Sequence, residues 1–391
     1  MHVLIIPSWY PSDTNDINGS FFREQALALK KQGCSVGVLA VQFRSLRNWR
    51  SIFTGSSSLL VEDDSGIVTY RKYGVLWFPR MPKLQAWLCK KQTMTLFNHY
   101  IKLHGKPDVI HVHSMLYAGW AAMAISQKFQ IPYVLTEHSS SYFRGLVKAP
   151  QIKIAQQIAI NAQRRFAVSR PFANHLLKYI TPDNDSWKVL PNIVHSRFFI
   201  PPSGKMVESD LFVFTNIALL TPNKGVDVLI RAFVKAHAFQ PNLKLMIGGD
   251  GKARDDLMAL ANELNVDDSV EFLGMLSRKQ VTEQLALSDA FVLSSFYETF
   301  GVVVAEALAM GKPIVATRCG GPEDIVREKD GILVPVNDED ALAGAMVKLY
   351  NNRDTYDRKE IQNACRARYS DQVIAENLVQ VYKEVVQDHG K

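Results

Sequence analysis

The sequence predicts an α/β protein made of two Rossmann-like domains, each built on a parallel sheet. Three observations carry that expectation. Short apolar runs alternate with stretches of helical periodicity along nearly the whole chain, which implies parallel strands joined by crossover helices. The chain has 391 residues, more than one core usually supports. The alternation also breaks once, between Val194 and Asp210, where Pro201, Pro202 and Gly204 interrupt it in "FFIPPSGKMVESD". Residues 1–195 and 196–370 are therefore expected as the two domains. The last segment, about 371–391, is a long amphipathic helix with no strand to follow, and is expected to pack back on the first domain.

In order, "HVLIIP" reads as the first strand, followed by a polar loop ending in "NGS" and by the helical "FFREQALALKKQG" with its terminal Gly33. "SVGVLAV", "DVIHVHS", "PYVLTEHS", "RRFAVS" and "WKVLPN" continue the first set of strands, with helices such as "AAMAISQKFQ" between most of them. After the irregular stretch come "LFVFTNIALL", "LKLMIGGDG", "SVEFLGML", "AFVLSS", "KPIVATRCGG" and "GILVPV", again separated by helical patterns.

Composition narrows the class. With 47% hydrophobic and 21% charged residues the chain is an ordinary globular one. Cys34, Cys89, Cys319 and Cys365 show no metal-ligand or redox spacing, which suits a reducing compartment. No apolar run is long enough to span a bilayer, and "MHVLIIPSWYP" does not read as a signal peptide, so a cytoplasmic location is expected. The net charge of +7 is unevenly shared. Residues 1–195 hold 23 Lys and Arg against 10 Asp and Glu, the remainder 22 against 28. Such asymmetry points to an anionic partner or to a solvated basic face.

Open parallel sheets bind ligands at the carboxyl ends of their strands, and two facing sheets make a cleft the expected site. "PNKGVDVLIRAF" sets Lys224 just before a helix, where the helix dipole disfavours a cation, so the lysine needs a counter-charge such as a phosphate. "GGDGKARDDL" places Gly248, Gly249 and Gly251 between strand and helix, where backbone can approach a ligand closely, without the spacing of a dinucleotide fingerprint. "SSFYETFGVVVAEALAMGKPIVAT" keeps Glu298 in a loop after a strand and Glu306 about one turn into the next helix. Two carboxylates so placed can each accept a pair of hydroxyls, and the first helix amides can hold more, which suits a nucleotide sugar better than acid/base work. His111 and His113 alternate at a strand end and read as buried, hydrogen-bonded core residues.

The stretch from Ser295 to Pro313 resembles the double-glutamate motif of the retaining glycosyltransferases of family four, and "DVIHVHS", "VLTEHS", "AVSRPFANHL", "VLPNIV", "PNKGVDVLIRAF", "GDGKARDDL" and "CGGPEDIV" follow in that family's order. The resemblance implies the GT-B architecture, with an acceptor-binding first domain and a donor-binding second one. It implies that Glu306 binds the ribose hydroxyls of a nucleoside diphosphate sugar. Glu298 would bind donor-sugar hydroxyls with the amides of Thr299, Phe300 and Gly301, and Lys224 the diphosphate. His138 would contact the donor near the reacting centre, Gly19 would bring its backbone to the phosphates or acceptor, and Gly249 would line the donor site. His138, Lys224 and Glu298 are the catalytic candidates; no metal and no separate cofactor is expected. In much of the family an arginine stands five positions before the lysine; here that position is Leu219, and Arg144, Lys148 and Arg170 are candidate substitutes.

The implied activity is transfer of a sugar from a UDP- or GDP-sugar to an acceptor hydroxyl in cell-surface polysaccharide or glycolipid synthesis, with retention, the leaving diphosphate serving as base. A GT-B-fold epimerase and a non-catalytic sugar-nucleotide binder remain alternatives. The acceptor is expected to be a glycan or lipid-linked glycan. "YRKYGVLWFPRMPKLQAWLCKK" (Tyr70–Lys91) interleaves cations with Trp77, Phe78 and Trp87, and Trp49 stands among arginines before it, the composition of a segment that meets an anionic membrane surface. Pro79 and Pro82 are expected to break any long helix there. No nucleic-acid-binding motif is present, and nucleic acid is not an expected partner.

Overall fold

The computed structural model describes residues 1–13, 16, 19–44, 59–75, 81–181, 187–200 and 210–390. The linker residues Pro201, Pro202 and Gly204 lie outside these, as do Trp49, Trp77, Phe78, Pro79 and Arg80. Met1–Ile193 with Asp371–Lys391 form one compact unit, and Val194–Ser370 form the other. The division falls two residues ahead of the expected 195. The cause is local: the Val194 amide donates to the Tyr369 carbonyl at 2.8 Å and the residue bridges Ser370.

The first unit runs β1 (His2–Pro7), α1 (Ser20–Lys31), β2 (Ser35–Arg44), β3 (Leu59–Asp64), β4 (Ile67–Val75), α2 (Pro82–His104), β5 (Val109–His113), α3 (Trp120–Phe129), β6 (Tyr133–Glu137), α4 (Ala149–Asn161), β7 (Arg164–Ala167), α5 (Arg170–Tyr179) and β8 (Trp187–Val189). Its sheet has the order β3-β4-β2-β1-β5-β6-β7-β8. Val3 to Ile6 and the whole of β5 and β6 are buried, as expected of strands covered by helices on both faces.

Sequence reasoning missed β3 and β4. They pair antiparallel at the sheet edge through a turn in which Ser65 and Gly66 both have positive φ (57° and 77°). The exposed Leu59–Val61 and the charges at Arg71 and Lys72 hid their period. Pro82 likewise does not break a helix. It stands in the first turn of the 23-residue α2, where a missing amide costs nothing.

The C-terminal helix (Asp371–His389) belongs to this first unit. Ile374, Ala375, Leu378, Tyr382 and Val385 sink into the core beside α1, and Lys31 pairs with Asp371 at 3.2 Å. The Tyr382 hydroxyl meets His111 Nδ1 at 2.5 Å, tying this helix to the central strand β5.

The second unit runs β9 (Phe212–Ile217), α6 (Val226–Phe239), β10 (Leu243–Gly248), α7 (Arg254–Glu263), β11 (Val270–Gly274), α8 (Arg278–Leu287), β12 (Ala290–Leu293), α9 (Val302–Ala309), β13 (Ile314–Thr317), α10 (Gly321–Ile325), β14 (Gly331–Val334), α11 (Glu339–Asn351) and α12 (Arg358–Tyr369). All its strand pairs are parallel, in the order β11-β10-β9-β12-β13-β14. Phe214, Leu229, Phe233, Leu245, Ile247, Val292 and Met346 centre its core. The order reverses between β9 and β12, which sets the ligand-binding crevice of such a sheet beyond their carboxyl ends.

Candidate functional site

The reversal point gathers the expected donor residues. Lys224 closes a single 3₁₀ turn (Pro222–Lys224) after β9, and Glu298 lies in the loop after β12. The Lys224 ammonium meets Glu298 Oε1 at 2.6 Å, and the Ser295 hydroxyl donates to the same oxygen at 2.8 Å. The counter-charge that the lysine needs is therefore supplied by the chain itself. Backbone holds the loop: the Glu298 amide donates to the Cys319 carbonyl and the Glu298 carbonyl accepts from Gly321, both at 2.8 Å.

Glu306 sits on α9, which Gly301 opens with a left-handed backbone (φ 96°). Helical geometry leaves the first amides of α9 without intrahelical partners. Phe300 beside them is buried, edge-on to Tyr369 at 5.6 Å, and so anchors the turn through its ring, while its carbonyl packs so closely on Gly321 that a Cβ there would lie 2.0 Å from the oxygen. Thr299 lies between Glu298 and this anchor.

Glu306 is 1% exposed. Its Oε1 pairs with Arg278 Nη1 at 2.7 Å, while Oε2 has no hydrogen-bond partner among the described residues. Burial pushes the carboxyl above its ordinary range, and Arg278, with Arg197 beyond it, works against that rise. Arg278 was not foreseen. It is the first residue of α8 after the capping Ser277, and its guanidinium lies 5.0 Å from the centre of the Phe198 ring. A cation at a helix N-terminus, the argument that singled out Lys224, would have found it.

Gly249 has a reason to be glycine within the chain itself. With φ 129°, any Cβ there would lie 1.8 Å from the Ala218 carbonyl oxygen. The close approach that demands glycine here is already made by the chain's own backbone. Leu219, in that same segment, is 47% exposed.

In the first unit, Gly19 and His138 come to the same end of the sheet. Gly19 caps α1 with φ 75°, and a Cβ would sit 2.9 Å from Trp9 and 3.1 Å from Phe22. His138, just beyond β6, packs edge-on against Phe22 at 4.8 Å, and its Nε2 faces His113 Nδ1 at 3.1 Å. Burial holds the imidazoles of His138 and His111 down to about 3, so both are neutral. His111 and His113 are fully buried, as the sequence suggested; His111 Nε2 lies 2.8 Å from the Thr136 hydroxyl. Glu137, unremarked in the sequence, is buried too. It accepts the amides of Met115, His138 and Ser139 at 2.7, 2.9 and 2.8 Å, lacing the end of β5 to that of β6. Arg144 and Lys148 are exposed in the loop that follows.

Two units built on parallel sheets, with a lysine–glutamate pair at one reversal point, form an α/β scaffold with a ligand crevice, and comparison with known proteins gives its family. Residues 19–198 match the family described as Glycosyltransferase Family 4, and residues 204–367 that described as Glycosyl transferases group 1. The chain belongs to this glycosyltransferase family. It is 28% identical to an uncharacterized glycosyltransferase of Methanocaldococcus jannaschii, over 73% of this chain and 77% of the other. It is 26% identical to a D-inositol 3-phosphate glycosyltransferase of Acidothermus cellulolyticus, over 78% and 74%. Among solved structures, sucrose-phosphate synthase from Thermosynechococcus elongatus superposes with a TM-score of 0.80 at 20% identity, over 99% of both chains. An Anabaena protein solved with UDP-glucose gives 0.71 at 17%, over 98% and 100%. The architecture is GT-B, and the protein is a glycosyltransferase.

Proposed function

We propose that the protein transfers a glycosyl unit from a nucleoside diphosphate sugar, UDP- or GDP-linked, to an acceptor hydroxyl with retention of anomeric configuration and without a metal. The joined Lys224 and Glu298 at the β9–β12 reversal, with Glu306 eight residues on, carry the reading. Lys224 is placed to pass from Glu298 to a diphosphate. That exchange frees Glu298 for sugar hydroxyls just as negative charge develops on the leaving group. In this reading Glu298 is occupied by the donor-sugar hydroxyls and by Ser295 and forms no covalent intermediate, and the leaving diphosphate serves as base for the incoming hydroxyl. Glu306 Oε2 is the acceptor offered to a ribose diol. The Anabaena neighbour's complex with UDP-glucose favours testing uridine donors first.

The acceptor in this reading is a glycan or lipid-linked glycan of cell-surface polymer synthesis, met at the inner face of a membrane. The basic segment supports it in altered form. Tyr70 and Arg71 are buried in β4, with Arg71 donating to the Pro11 carbonyl at 2.8 Å, and cannot meet a headgroup. The surface lies instead on α2, whose exposed side carries Lys83, Trp87, Lys91, His99, Lys102 and Leu103 and whose sequence has no acidic residue. Lys91 Nζ stands 5.4 Å from the centre of the Trp87 ring, the pairing of cation and aromatic that an anionic interface takes. No helix of the described residues is long and apolar enough to cross a membrane.

Incubation with UDP- and GDP-sugars, with and without acceptor, tests the reading, with NMR of the products. Acceptor-dependent nucleotide release with an unchanged anomeric centre is expected. Isomerised donor would show an epimerase, and binding without release a sugar-nucleotide binder.

A further inference from the structure

The first unit holds a cavity of about 270 Å³ of its own, beyond the ends of β1, β5 and β6, lined by Trp9, Tyr117, Glu137, Ser139, Ser141, Tyr142 and their neighbours. Two features mark it as built for a ligand. The backbone turns through left-handed conformations at two residues that are not glycine, Ser114 (φ 71°) and Tyr117 (φ 69°). Such strain persists only where the surroundings enforce it, and it gathers at binding sites. Here Tyr117 is pinned by its hydroxyl, which donates to Gln85 at 3.0 Å, and the Ser8 hydroxyl holds the Leu116 carbonyl at 2.6 Å. The Tyr142 hydroxyl, on a residue 6% exposed, has no hydrogen-bond partner among the described residues. A buried phenol left so is costly unless a ligand completes it.

The lining also states what that ligand is. It contains hydroxyls at Ser8, Ser114, Ser139, Ser141, Tyr117 and Tyr142, apolar surface at Leu116, Leu146 and Val147, and one carboxyl group, Glu137. It contains no lysine, arginine or histidine. Arg144 and Lys148 stand in the adjoining loop but do not line the cavity. A phosphate or carboxylate placed here would meet a buried acid and no cation, an arrangement that disfavours it strongly.

We infer that this cavity receives the acceptor, and that the part of the acceptor it takes is a neutral polyhydroxylated ring, such as an uncharged pyranose, rather than a phosphorylated or carboxylated group. The inference rests on the proposed transfer reaction and specifies its second substrate. The ring lays one face on Leu146, Val147 and the aromatic side chains. Its hydroxyls exchange hydrogen bonds with Tyr142, Ser141 and Ser139.

The test uses the full chain with UDP-glucose and GDP-mannose as donors. Methyl glucoside, mannoside and galactoside are compared as acceptors with glucose 6-phosphate and methyl glucuronide. Tyr142→Phe removes only the unpartnered hydroxyl. It is expected to leave the melting temperature of the free protein unchanged or higher, and the donor KM unchanged, while acceptor KM rises about 3- to 10-fold, the loss of one neutral hydrogen bond. Leu146→Trp at the exposed rim should narrow the cavity and lower kcat/KM for the neutral glycosides. Preference for the charged sugars, or an acceptor KM that neither substitution moves, overturns the assignment while leaving the transfer reaction standing. Failure of every donor to bind or to release nucleotide overturns the transfer reaction, and the inference falls with it.

Discussion

Replacing Glu306 with glutamine separates the two duties that the structure gives this carboxylate. Glutamine keeps the shape of the side chain and an oxygen for Arg278, so it removes charge and little else. A charge-assisted hydrogen bond contributes about 1.5–3 kcal/mol and a neutral one about 0.5–1.5. If Glu306 holds both hydroxyls of a ribose, converting two such bonds costs about 2–3 kcal/mol, which weakens nucleotide binding roughly 30- to 150-fold. Alanine would be a poorer choice. It strands the Arg278 guanidinium, 15% exposed and 2.7 Å from the missing oxygen, and breaking so buried a pair costs about 3–5 kcal/mol of stability whatever the ligand does. Calorimetric titration of wild type and Glu306→Gln with UDP, GDP and their sugars reads the affinity; thermal unfolding without ligand reads the ion pair. Unchanged affinity with lowered stability would show that Glu306 serves only Arg278, and the ribose assignment would be wrong.

Lys224→Ala should lower kcat/KM at least tenfold, about 2–4 kcal/mol of transition-state stabilisation, because Leu219 offers no second cation. Glu298→Ala should chiefly lower turnover and relax donor choice, and since the two side chains touch, the double variant should lose less than the two single losses combined; strict additivity would deny the coupling. Leu219→Arg is expected to raise turnover by adding a cation beside the leaving group, and a fall would mean that this space has another use. The buried imidazoles make the first unit acid-labile. Their folded-state pKa is depressed to about 3 at His111 and His138 against 6.5 when unfolded, so below pH 6.5 the unfolded chain takes up protons that the folded one refuses. Stability of this unit should therefore fall from pH 6.5 downward, by up to about 1.4 kcal/mol per pH unit for each imidazole, less the opposing effect of the raised Glu137. Urea unfolding from pH 7.5 to 5 measures this, and a flat profile, or one that His111→Gln leaves as steep, would contradict it. Co-sedimentation with anionic vesicles should be lost on Trp87→Ser with Lys91→Glu and weakened by salt; binding indifferent to lipid charge would point to a soluble acceptor.

The sequence by itself determined the class of the fold, because parallel strands buried on both faces must be nearly continuous apolar runs and the crossovers between them must be helical. The runs at β1, β5, β6, β9, β12 and β13 are of this kind. It also marked Lys224, Glu298 and Glu306, since charges at strand ends and helix starts stand out against such runs. Edge elements were illegible for the converse reason. β3 is an exposed edge strand and β4, though largely buried, carries Arg71 and Lys72 where an apolar run would be expected, and the first-turn position of Pro82 depends on where its helix begins. Only the tertiary structure decided how the marked residues are used. That Lys224 rests on Glu298 across 74 positions, and that Arg278 neutralises Glu306, are long-range pairings that no local pattern encodes. Gly249 shows the same limit from the other side. Its sequence context called for a close approach, but which backbone comes close, that of Ala218, depends on how two loops pack. The cavity beside Tyr142 is bordered by Ser114 and Tyr117, whose positive φ is held by long-range hydrogen bonds, from the Ser8 hydroxyl to the Ser114 and Leu116 carbonyls and from the Tyr117 hydroxyl to Gln85, and strain of that kind is imposed by packing and cannot be read from propensity.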